Sequence, residues 1–250
     1  MSVYIVSHKE FNPPLAIPDN YKTIYVGPNS AYLAKKFEGL SDVEGDSIAY
    51  LNNKFCELTA MYWIWKNAKT KYKGIVHYRR FFINSSGDKA AISEEQIFNR
   101  LQASDFIVPE KYWLLDEAGR HYSSHHSASD LDNARESIGQ LYPEYLDTFD
   151  NCMRQKYVYP YNMLIAPANR FDSYCEWLFP ILFETNSRID YSGRDIYQTR
   201  AVGFLSERLF AVYLSKHQYK LCETSVLTTE KDIKRTVTMS LAKLLYGRAR

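Results

Sequence analysis

Residues 74–82 form an apolar run, Gly74-Ile75-Val76-His77-Tyr78-Arg79-Arg80-Phe81-Phe82, that carries an imidazole and two guanidinium groups near its end. Short apolar runs between turn residues are typical of buried strands. The stretch predicts one strand, with His77 and Arg79 on one face and Tyr78 and Arg80 on the other, since side chains alternate along a strand. Cationic groups in such a strand are costly unless an anionic group meets them.

Other apolar runs predict further strands, at Val3–Val6, Thr23–Val26, Asp105–Val108 and Asn162–Ala166. Helical periodicity lies between them, over residues 55–65 with Asn53 as N-cap, over 171–183 and over 203–214. Strands that alternate with helices indicate an α/β fold with a mostly parallel central sheet flanked by helices. In open sheets of this class, ligands bind beyond the carboxyl ends of the strands.

The composition indicates a globular protein, with 46% hydrophobic and 24% charged residues among 250. A net charge of +2 excludes a generally basic nucleic-acid-binding protein, so no nucleic acid partner is expected. The 21 tyrosines favour surfaces that hold polar ligands such as sugars. Four widely spaced cysteines lack metal-ligand spacing and fit reduced core residues. With no secretory signal and no apolar stretch of about 18 residues, a cytoplasmic location is expected.

The C-terminal segment differs in charge from the rest of the chain. Residues 231–250 contain six basic residues and one acidic residue, a net charge of +5. Ile233, Val237, Leu241, Leu244 and Leu245 form one apolar stripe on a helical projection. We therefore predict a main domain over 1–228 and a basic amphipathic helix over 229–250. The helix would lie on an anionic membrane surface or dock on the body, and the sequence leaves both open.

Two arginines at the end of the central strand are suited to a diphosphate, because guanidinium groups match phosphate oxygens two at a time. The alternative for Arg79 or Arg80 is an internal ion pair with a carboxylate such as Glu57. Glu57 lies on an apolar helix, where an anchoring role is favoured over a place in a ligand pocket.

The polar segment from His121 to Asp132 has two interpretations. Asp130, Asp132 and His125 are residue types that bind Mg²⁺ or Mn²⁺. Equally, histidines in a serine-rich loop are often solvated, and Asp130 could cap the following helix.

A last group of polar residues lies in the C-terminal half of the chain. Asn162 begins a predicted strand, and Glu207 lies near the start of a predicted apolar helix, whose dipole would keep its carboxylate ionised. Such a carboxylate can accept a proton from an attacking hydroxyl, but it would equally serve as a partner for a neighbouring arginine. Signatures of dinucleotide oxidoreductases, P-loop NTPases, zincins and serine hydrolases are absent from the sequence.

At these residues the sequence resembles a bacterial family first catalogued as a domain of unknown function. Its members occur in capsule, O-antigen and exopolysaccharide gene clusters and are regarded as glycosyltransferases. The matching segments are Val6-Ser7-His8-Lys9, Asp42, Gly45-Asp46, Cys56 to Asn67, His77 to Phe82, Asp130-Leu131-Asp132, Tyr161-Asn162-Met163, Gly203-Phe204 and Glu207-Arg208-Leu209. The resemblance implies a GT-A-like fold and transfer of a hexose from a UDP-sugar to a growing surface polysaccharide. The family is similar to galactofuranosyltransferases, which makes UDP-galactofuranose the first choice of donor and inversion the expected outcome.

The resemblance also implies roles for individual residues. The expected donor-binding residues are Ser7, His8, Asp42, Asp46, His77, Tyr78, Arg79 and Arg80. Glu207 is the first candidate for the catalytic base, followed by Asp132 and Asp130. The expected contacts of a lipid-linked or oligosaccharide acceptor are Tyr161, Asn162, Met163 and Arg208. A divalent metal held by Asp130, Asp132 and His125, or arginines in place of a metal, both stay open. The alternative function is a non-catalytic carbohydrate-binding or assembly protein of the polysaccharide machinery.

Overall fold

The computed structural model describes residues 1–85, 87–229 and 233–247. Four charged residues of the predicted basic tail, Lys231, Asp232, Arg248 and Arg250, lie outside the described residues. The side chains at 233–237 and 239 lie outside them as well.

The described strands form a nine-stranded sheet and a separate two-stranded one. The strands are β1 (Ser2–Ser7), β2 (Tyr21–Tyr25), β3 (Leu40–Ser41), β4 (Tyr72–His77), β5 (Arg80–Phe82), β6 (Phe106–Pro109), β7 (Tyr112–Trp113), β8 (Tyr157–Val158), β9 (Leu164–Pro167), β10 (Leu221–Thr224) and β11 (Val226–Thr228). The order across the large sheet is β10-β6-β9-β4-β1-β2-β3, while β5 pairs with β4 and β11. Strands β7 and β8 make the small sheet.

Helices lie in about half of the connections between consecutive strands. The helices are α1 (Ser30–Lys36), α2 (Asn52–Phe55), α3 (Leu58–Asn67), α4 (Glu94–Leu101), α5 (Ala118–Ser123), α6 (Ala128–Leu141), α7 (Leu146–Arg154), α8 (Ala168–Arg188), α9 (Ala201–His217) and α10 (Ile233–Tyr246). Short 3-10 helices occur at Ala49–Leu51, Pro143–Tyr145 and Gln198–Arg200.

The predicted α/β architecture is confirmed. Along the main path of the sheet, β4, β1, β2 and β3 are parallel neighbours, as are β10 and β6. The exception is β9, which runs antiparallel to both β4 and β6. It follows that β6 has the same direction as β4, and that the carboxyl ends of the parallel strands lie along one edge of the sheet.

Two predicted elements are interrupted in the structure. The single strand expected over 74–82 is a hairpin, because β4 ends at His77, and β5 returns antiparallel from Arg80, which pairs with His77. The predicted alternation of faces from His77 to Arg80 is therefore wrong. The helix expected over 55–65 breaks at Cys56, whose φ is +51°. Asn53 lies inside α2, and the N-cap of α3 is Glu57.

The chain consists of two compact units. Unit 1 comprises Met1–Glu110, Asn162–Glu176 and Tyr219–Glu230, and unit 2 comprises Lys111–Tyr161, Trp177–Gln218 and Lys231–Arg250. The predicted division into 1–228 and 229–250 stays a prediction.

The core of unit 1 is built on the central strands. All six residues of β1 are buried, as expected for a strand covered on both faces. Helix α3 packs on β1 through Trp63, whose ring lies 6.1 Å from that of Tyr4. On the β2 side, Leu33 and Ala34 of α1 pack with Tyr25. These helices cover the apolar strands. The polar residues that follow the strands lie at the edge of the sheet.

Unit 2 is mainly helical. Helix α9 buries most of its residues, which explains its nearly continuous apolar sequence. Trp177 packs among tyrosine rings, with ring centroids 5.0 Å from Tyr145 and 5.3 Å from Tyr213. Helix α10 contacts β7, and its Ala242 is fully buried. Within the described part of the chain, every helix is too short or too polar to cross a membrane.

Candidate functional site

A basic and aromatic cluster lies where β1 and β4 end in unit 1. The strands are parallel with Val6 opposite His77, and the backbone N–H of Tyr78 donates to the carbonyl of Val6 at 3.1 Å. Ser7 and His8 therefore leave the sheet beside His77 and Tyr78. The structure thus brings four of the predicted donor-binding residues together at the carboxyl edge of the sheet, where ligands of α/β proteins bind.

The ring of Tyr78 is the centre of this cluster. The ring centroid of His8 lies 5.4 Å from it, edge to face, and Phe11 contacts it at 5.8 Å. The guanidinium carbon of Arg79 lies 4.9 Å from the centroid, and the Lys9 ammonium lies 5.6 Å from it. These cation–π contacts orient two positive charges at one ring.

The hairpin turn sets the positions of the two arginines. Arg79 lies in the turn after β4, and its carbonyl accepts the N–H of Thr229. Arg80 begins β5, where it pairs with Thr228 of β11. Both arginines are partly exposed, whereas His77 and Tyr78 are buried. The turn therefore places both guanidinium groups at the carboxyl edge of the sheet, whereas one straight strand would place them on opposite faces.

Asp42, another residue predicted to bind the sugar donor, follows β3 at the same edge of the sheet. Its carboxylate is fully buried and accepts a 2.6 Å hydrogen bond from Thr59 Oγ1 on α3. Asn52 Nδ2 donates to Thr59 Oγ1 at 3.1 Å and orients this hydroxyl. Burial raises the pKa of the Asp42 carboxyl, and hydrogen bonds from Thr59 and Ser30 partly offset the increase. A buried carboxylate held in this way is suited to a fixed polar contact.

Asp46 lies in the exposed loop after Asp42, clamped against α3. Its backbone N–H donates to Asn67 Oδ1 at 3.1 Å, and its carbonyl accepts from Asn67 Nδ2 at 2.9 Å. Its carboxylate accepts from the hydroxyl of Tyr62 at 3.2 Å. Gly45 has a φ of +70°, and a Cβ there would lie 2.3 Å from Asn67 Oδ1. Glycine is therefore required for this close approach.

Glu57 forms a separate contact in unit 1. Its Oε1 accepts a 2.7 Å hydrogen bond from Asn162 Nδ2. Asn162 precedes β9, is 2% exposed and has a φ of +51°. Met163, also predicted to contact an acceptor, is fully buried. The contact with Asn162 is consistent with the anchoring role favoured for Glu57, although the expected partner was an arginine.

In unit 2, Glu207 holds the backbone of Tyr161. Glu207 Oε1 accepts the Tyr161 N–H at 2.8 Å, and Glu207 Oε2 lies 3.4 Å from Arg208 Nη1. Glu207 lies in the second turn of α9, which begins at Ala201. Because the helix dipole acts mainly within the first turn, the predicted dipole effect on Glu207 is wrong. Its side chain is 20% exposed.

Arg208 is almost completely buried next to Glu207. Its Nη2 donates to His121 Nδ1 at 3.3 Å, and its guanidinium lies 5.2 Å from the ring centroid of Tyr122. Burial lowers the pKa of Arg208, and the neighbouring Glu207 carboxylate opposes this change. As placed here, Arg208 organises the interior of unit 2 and offers little surface to an acceptor.

The predicted metal-binding residues of unit 2 do not form a common site. Both oxygens of the buried Asp130 accept from Arg194 at 2.7 Å. Asp132 is two residues along α6, and side chains two apart on a helix do not face each other. His125 Nδ1 contacts Ser124 Oγ and the carbonyl of His121. Across residues 1–85, 87–229 and 233–247, no three His, Cys, Asp or Glu residues are placed to hold a metal ion.

An aromatic stack in unit 2 was not recognised from the sequence. His126 stacks on Phe204 at 4.2 Å and on Tyr197 at 5.5 Å between ring centroids. The Arg200 guanidinium lies 5.4 Å from the Phe204 centroid, and Tyr197 is 49% exposed. Gln198 Nε2 donates to the carbonyl of His125 and fixes the segment that carries Tyr197. In the sequence, only the high tyrosine content indicated such a surface, because 21 tyrosines are more than a protein core requires.

A family model described as "Domain of unknown function (DUF4422)" matches residues 2–218. No curated protein matches the chain. The apo structure of a bifunctional glycosyltransferase, WbbM, is similar with a TM-score of 0.77 and 25% sequence identity. The match covers 92% of this chain and 45% of WbbM, so the chain spans less than half of that protein.

Proposed function

The chain belongs to the family described as Domain of unknown function (DUF4422), and on this premise we propose that it is a glycosyltransferase. It would transfer a hexose from a UDP-sugar to a sugar hydroxyl of a growing bacterial surface polysaccharide. UDP-galactofuranose is the donor that we propose first. The observation that carries the proposal is the similarity to a bifunctional glycosyltransferase over 92% of the chain. WbbM is bifunctional, and the match covers only 45% of it. We therefore propose a single transfer activity for this chain.

The basic cluster of unit 1 supports a site for the nucleotide diphosphate. Arg79 and Arg80 are partly exposed at the carboxyl edge of the sheet, and Tyr78 orients Arg79. Charge builds on the diphosphate as the glycosidic bond breaks, and preorganised cations stabilise that charge most effectively where water is excluded. We propose that the two arginines bind the diphosphate in this way.

The neighbouring polar residues support a site for the nucleoside. Ser7 ends β1 and His8 follows it, and Asp42 follows β3 along the same edge. Because Asp42 is fully buried and bonded to Thr59, we propose that it holds this edge of the site in place, while His8 offers the exposed contact for the nucleoside. Asp46 would line the outer side of this site, since its loop is tied to Asn67.

We propose no step through a metal ion held by Asp130, Asp132 and His125. Asp130 has both oxygens engaged by Arg194, and Asp132 projects elsewhere from α6. In our proposal the arginines of unit 1 neutralise the leaving group.

In the proposed reaction, the oxygen of the acceptor hydroxyl bonds to the anomeric carbon. The bond from that carbon to the diphosphate oxygen breaks, and UDP leaves with the bonding electrons. The hydroxyl proton passes to a carboxylate, for which we propose Glu207, because its side chain is 20% exposed and its Oε2 lies 3.4 Å from Arg208 Nη1. A single displacement of this kind inverts the anomeric centre.

For the acceptor, we propose contacts with the aromatic stack of unit 2. Asn162 and Met163 are buried and Arg208 is nearly so, which leaves them little surface for a sugar. Tyr197 is half exposed and backed by His126 and Phe204. Aromatic rings that present an exposed apolar face with a polar edge suit the stacking of a sugar ring.

The experiment that tests this function is a screen of the purified chain against UDP-sugars, with lipid-linked and oligosaccharide acceptors, with and without EDTA. We expect acceptor-dependent UDP release from one hexose donor. Binding of the oligosaccharide acceptor without saturable UDP binding would instead favour a non-catalytic carbohydrate-binding or assembly protein. Failure to bind UDP at all would contradict the proposal.

A further inference from the structure

Helix α10 presents an apolar face that the described part of unit 2 does not cover. Leu241, Leu244 and Leu245 are 48%, 61% and 58% exposed. Three and four residues apart, they lie on one side of the helix. Three leucines exposed together are unusual for a terminal helix of a globular protein, because a docked helix normally turns its apolar face inward.

A different face of α10 attaches the helix to unit 2. Ala242 is fully buried, and the helix contacts β7. The Lys156 ammonium lies 3.9 Å from the ring centroid of Tyr246. The helix is therefore docked through Ala242 and Tyr246, while the leucine face points outward. The sequence suggested docking by the apolar stripe as one alternative, but in the structure Leu241, Leu244 and Leu245 of that stripe stay exposed.

The charge of the segment favours one partner for the leucine face. Residues 231–250 carry a net charge of +5, whereas the whole chain carries only +2. Lys243 is exposed on the same helix. Basic residues near an anionic bilayer surface each contribute about 1 kcal/mol of attraction, and leucines add the free energy of burying apolar area. A protein partner would need acidic residues placed to match these basic ones, whereas an anionic bilayer presents negative charge over its whole surface.

We propose that α10 lies in the surface of an anionic phospholipid bilayer, with Leu241, Leu244 and Leu245 inserted among the acyl chains and the net positive charge of residues 231–250 attracted to the headgroups. Burial of the leucines and attraction of the charges act together, so binding depends on both anionic lipid and low salt. The inference does not depend on the proposed function, since it uses only α10 and the charge of residues 231–250.

The test is co-sedimentation of the full chain with vesicles of phosphatidylcholine alone or with about a third phosphatidylglycerol. We expect binding to the anionic vesicles only, and release by about 0.5 M KCl, at which the screening length falls to a few ångströms. Leu244→Glu should weaken binding by about tenfold or more, because it removes buried apolar area and adds repulsion. Ile196→Glu places the same charge at a side chain that is 89% exposed outside α10, and it should leave binding within about twofold.

Two results would overturn the proposal. One is absence of binding to anionic vesicles at low salt, or equal binding by the wild type and Leu244→Glu. The other is a dimer in solution that Leu244→Glu dissociates without any vesicle binding, which would assign the leucine face to a second copy of the chain. UDP binding measured on the same samples separates this outcome from a failure of the proposed transferase function.

Discussion

The carboxylate of Glu207 accepts a 2.8 Å hydrogen bond from the backbone N–H of Tyr161, whose φ is +78°. A bulky residue rarely adopts a positive φ, and such backbone costs about 1–3 kcal/mol. The next residue, Asn162, also has a positive φ, of +51°. Strained backbone of this kind clusters at functional sites, where surrounding contacts hold it in place. Glu207 is therefore both a candidate base and the anchor of a strained turn.

A conservative change separates these two roles of Glu207. Glu207→Gln keeps an oxygen that accepts the Tyr161 N–H but removes the charge. We expect a nearly unchanged melting temperature and sugar transfer reduced by about a hundredfold or more, since general bases contribute about 10²–10⁴-fold. Glu184→Gln, which alters another partly exposed glutamate of unit 2, is the control. Normal transfer by Glu207→Gln would leave Glu207 only its anchoring role.

The ion pair between Arg194 and Asp130 should dominate the local stability of unit 2. Asp130 is fully buried, and loss of its partner would leave an uncompensated charge. We expect Arg194→Ala to lower the free energy of unfolding by about 3–5 kcal/mol. The exposed pair of Arg135 and Asp150 is a matched comparison, and Arg135→Ala should cost at most about 1 kcal/mol. Equal losses in urea titrations of the two variants would argue against this account.

His126 should make the stability depend on pH. Burial, followed by the nearby charge of Arg208, lowers the pKa of His126 to about 4. Below its ordinary pKa of about 6.5 the unfolded chain takes up a proton that the folded chain resists. Stability from this group is therefore complete above pH 6.5 and is lost as the pH falls towards 4. His126→Phe keeps an aromatic ring and should reduce the loss of stability between pH 7 and pH 5. An equal fall in the free energy of unfolding over this range in the wild type and in His126→Phe would contradict the assignment.

Tyr197 tests the acceptor surface. Tyr197→Ala should raise the acceptor KM about threefold to tenfold, because aromatic contacts contribute about 0.5–1.5 kcal/mol. The donor KM should not change. Phe98→Ala removes a ring that is 46% exposed beside Met1, at the amino end of β1, and it serves as the control. If the donor KM changes as much as the acceptor KM in Tyr197→Ala, the ring does not act on the acceptor alone.

The sequence predicted those parts of the fold that local patterns encode. Apolar runs identified β1, β2, β6 and β9, because buried strands of a covered sheet need little else. The turn at Tyr78 and Arg79 has no glycine, proline or asparagine to mark it, so the hairpin was read as one strand. The helix break at Cys56 likewise has no local signature, and its positive φ reflects tertiary contacts.

The candidate site was predictable only in part, since its contacts join residues far apart in the chain. Ser7 and His77 were predictable because each ends a buried strand, and the two strands are parallel neighbours. The partner of Asp130 is 64 residues away at Arg194, and the partner of Glu57 is 105 residues away at Asn162. No spacing rule connects such pairs. Burial, which decides whether a carboxylate is available to a metal or a substrate, appears only in the folded chain.

The central claim is that Arg79 and Arg80 bind the diphosphate of a UDP-sugar, and calorimetric titration with UDP tests it most directly. We expect saturable binding by the wild type and binding weakened about tenfold to a hundredfold in Arg79→Ala and Arg80→Ala, as for the loss of hydrogen bonds between charged groups. Arg170→Ala is the control, since Arg170 pairs with Asp105 just before β6, at the opposite, amino-terminal edge of the sheet. Wild-type affinity for UDP in both Arg79→Ala and Arg80→Ala would contradict the account.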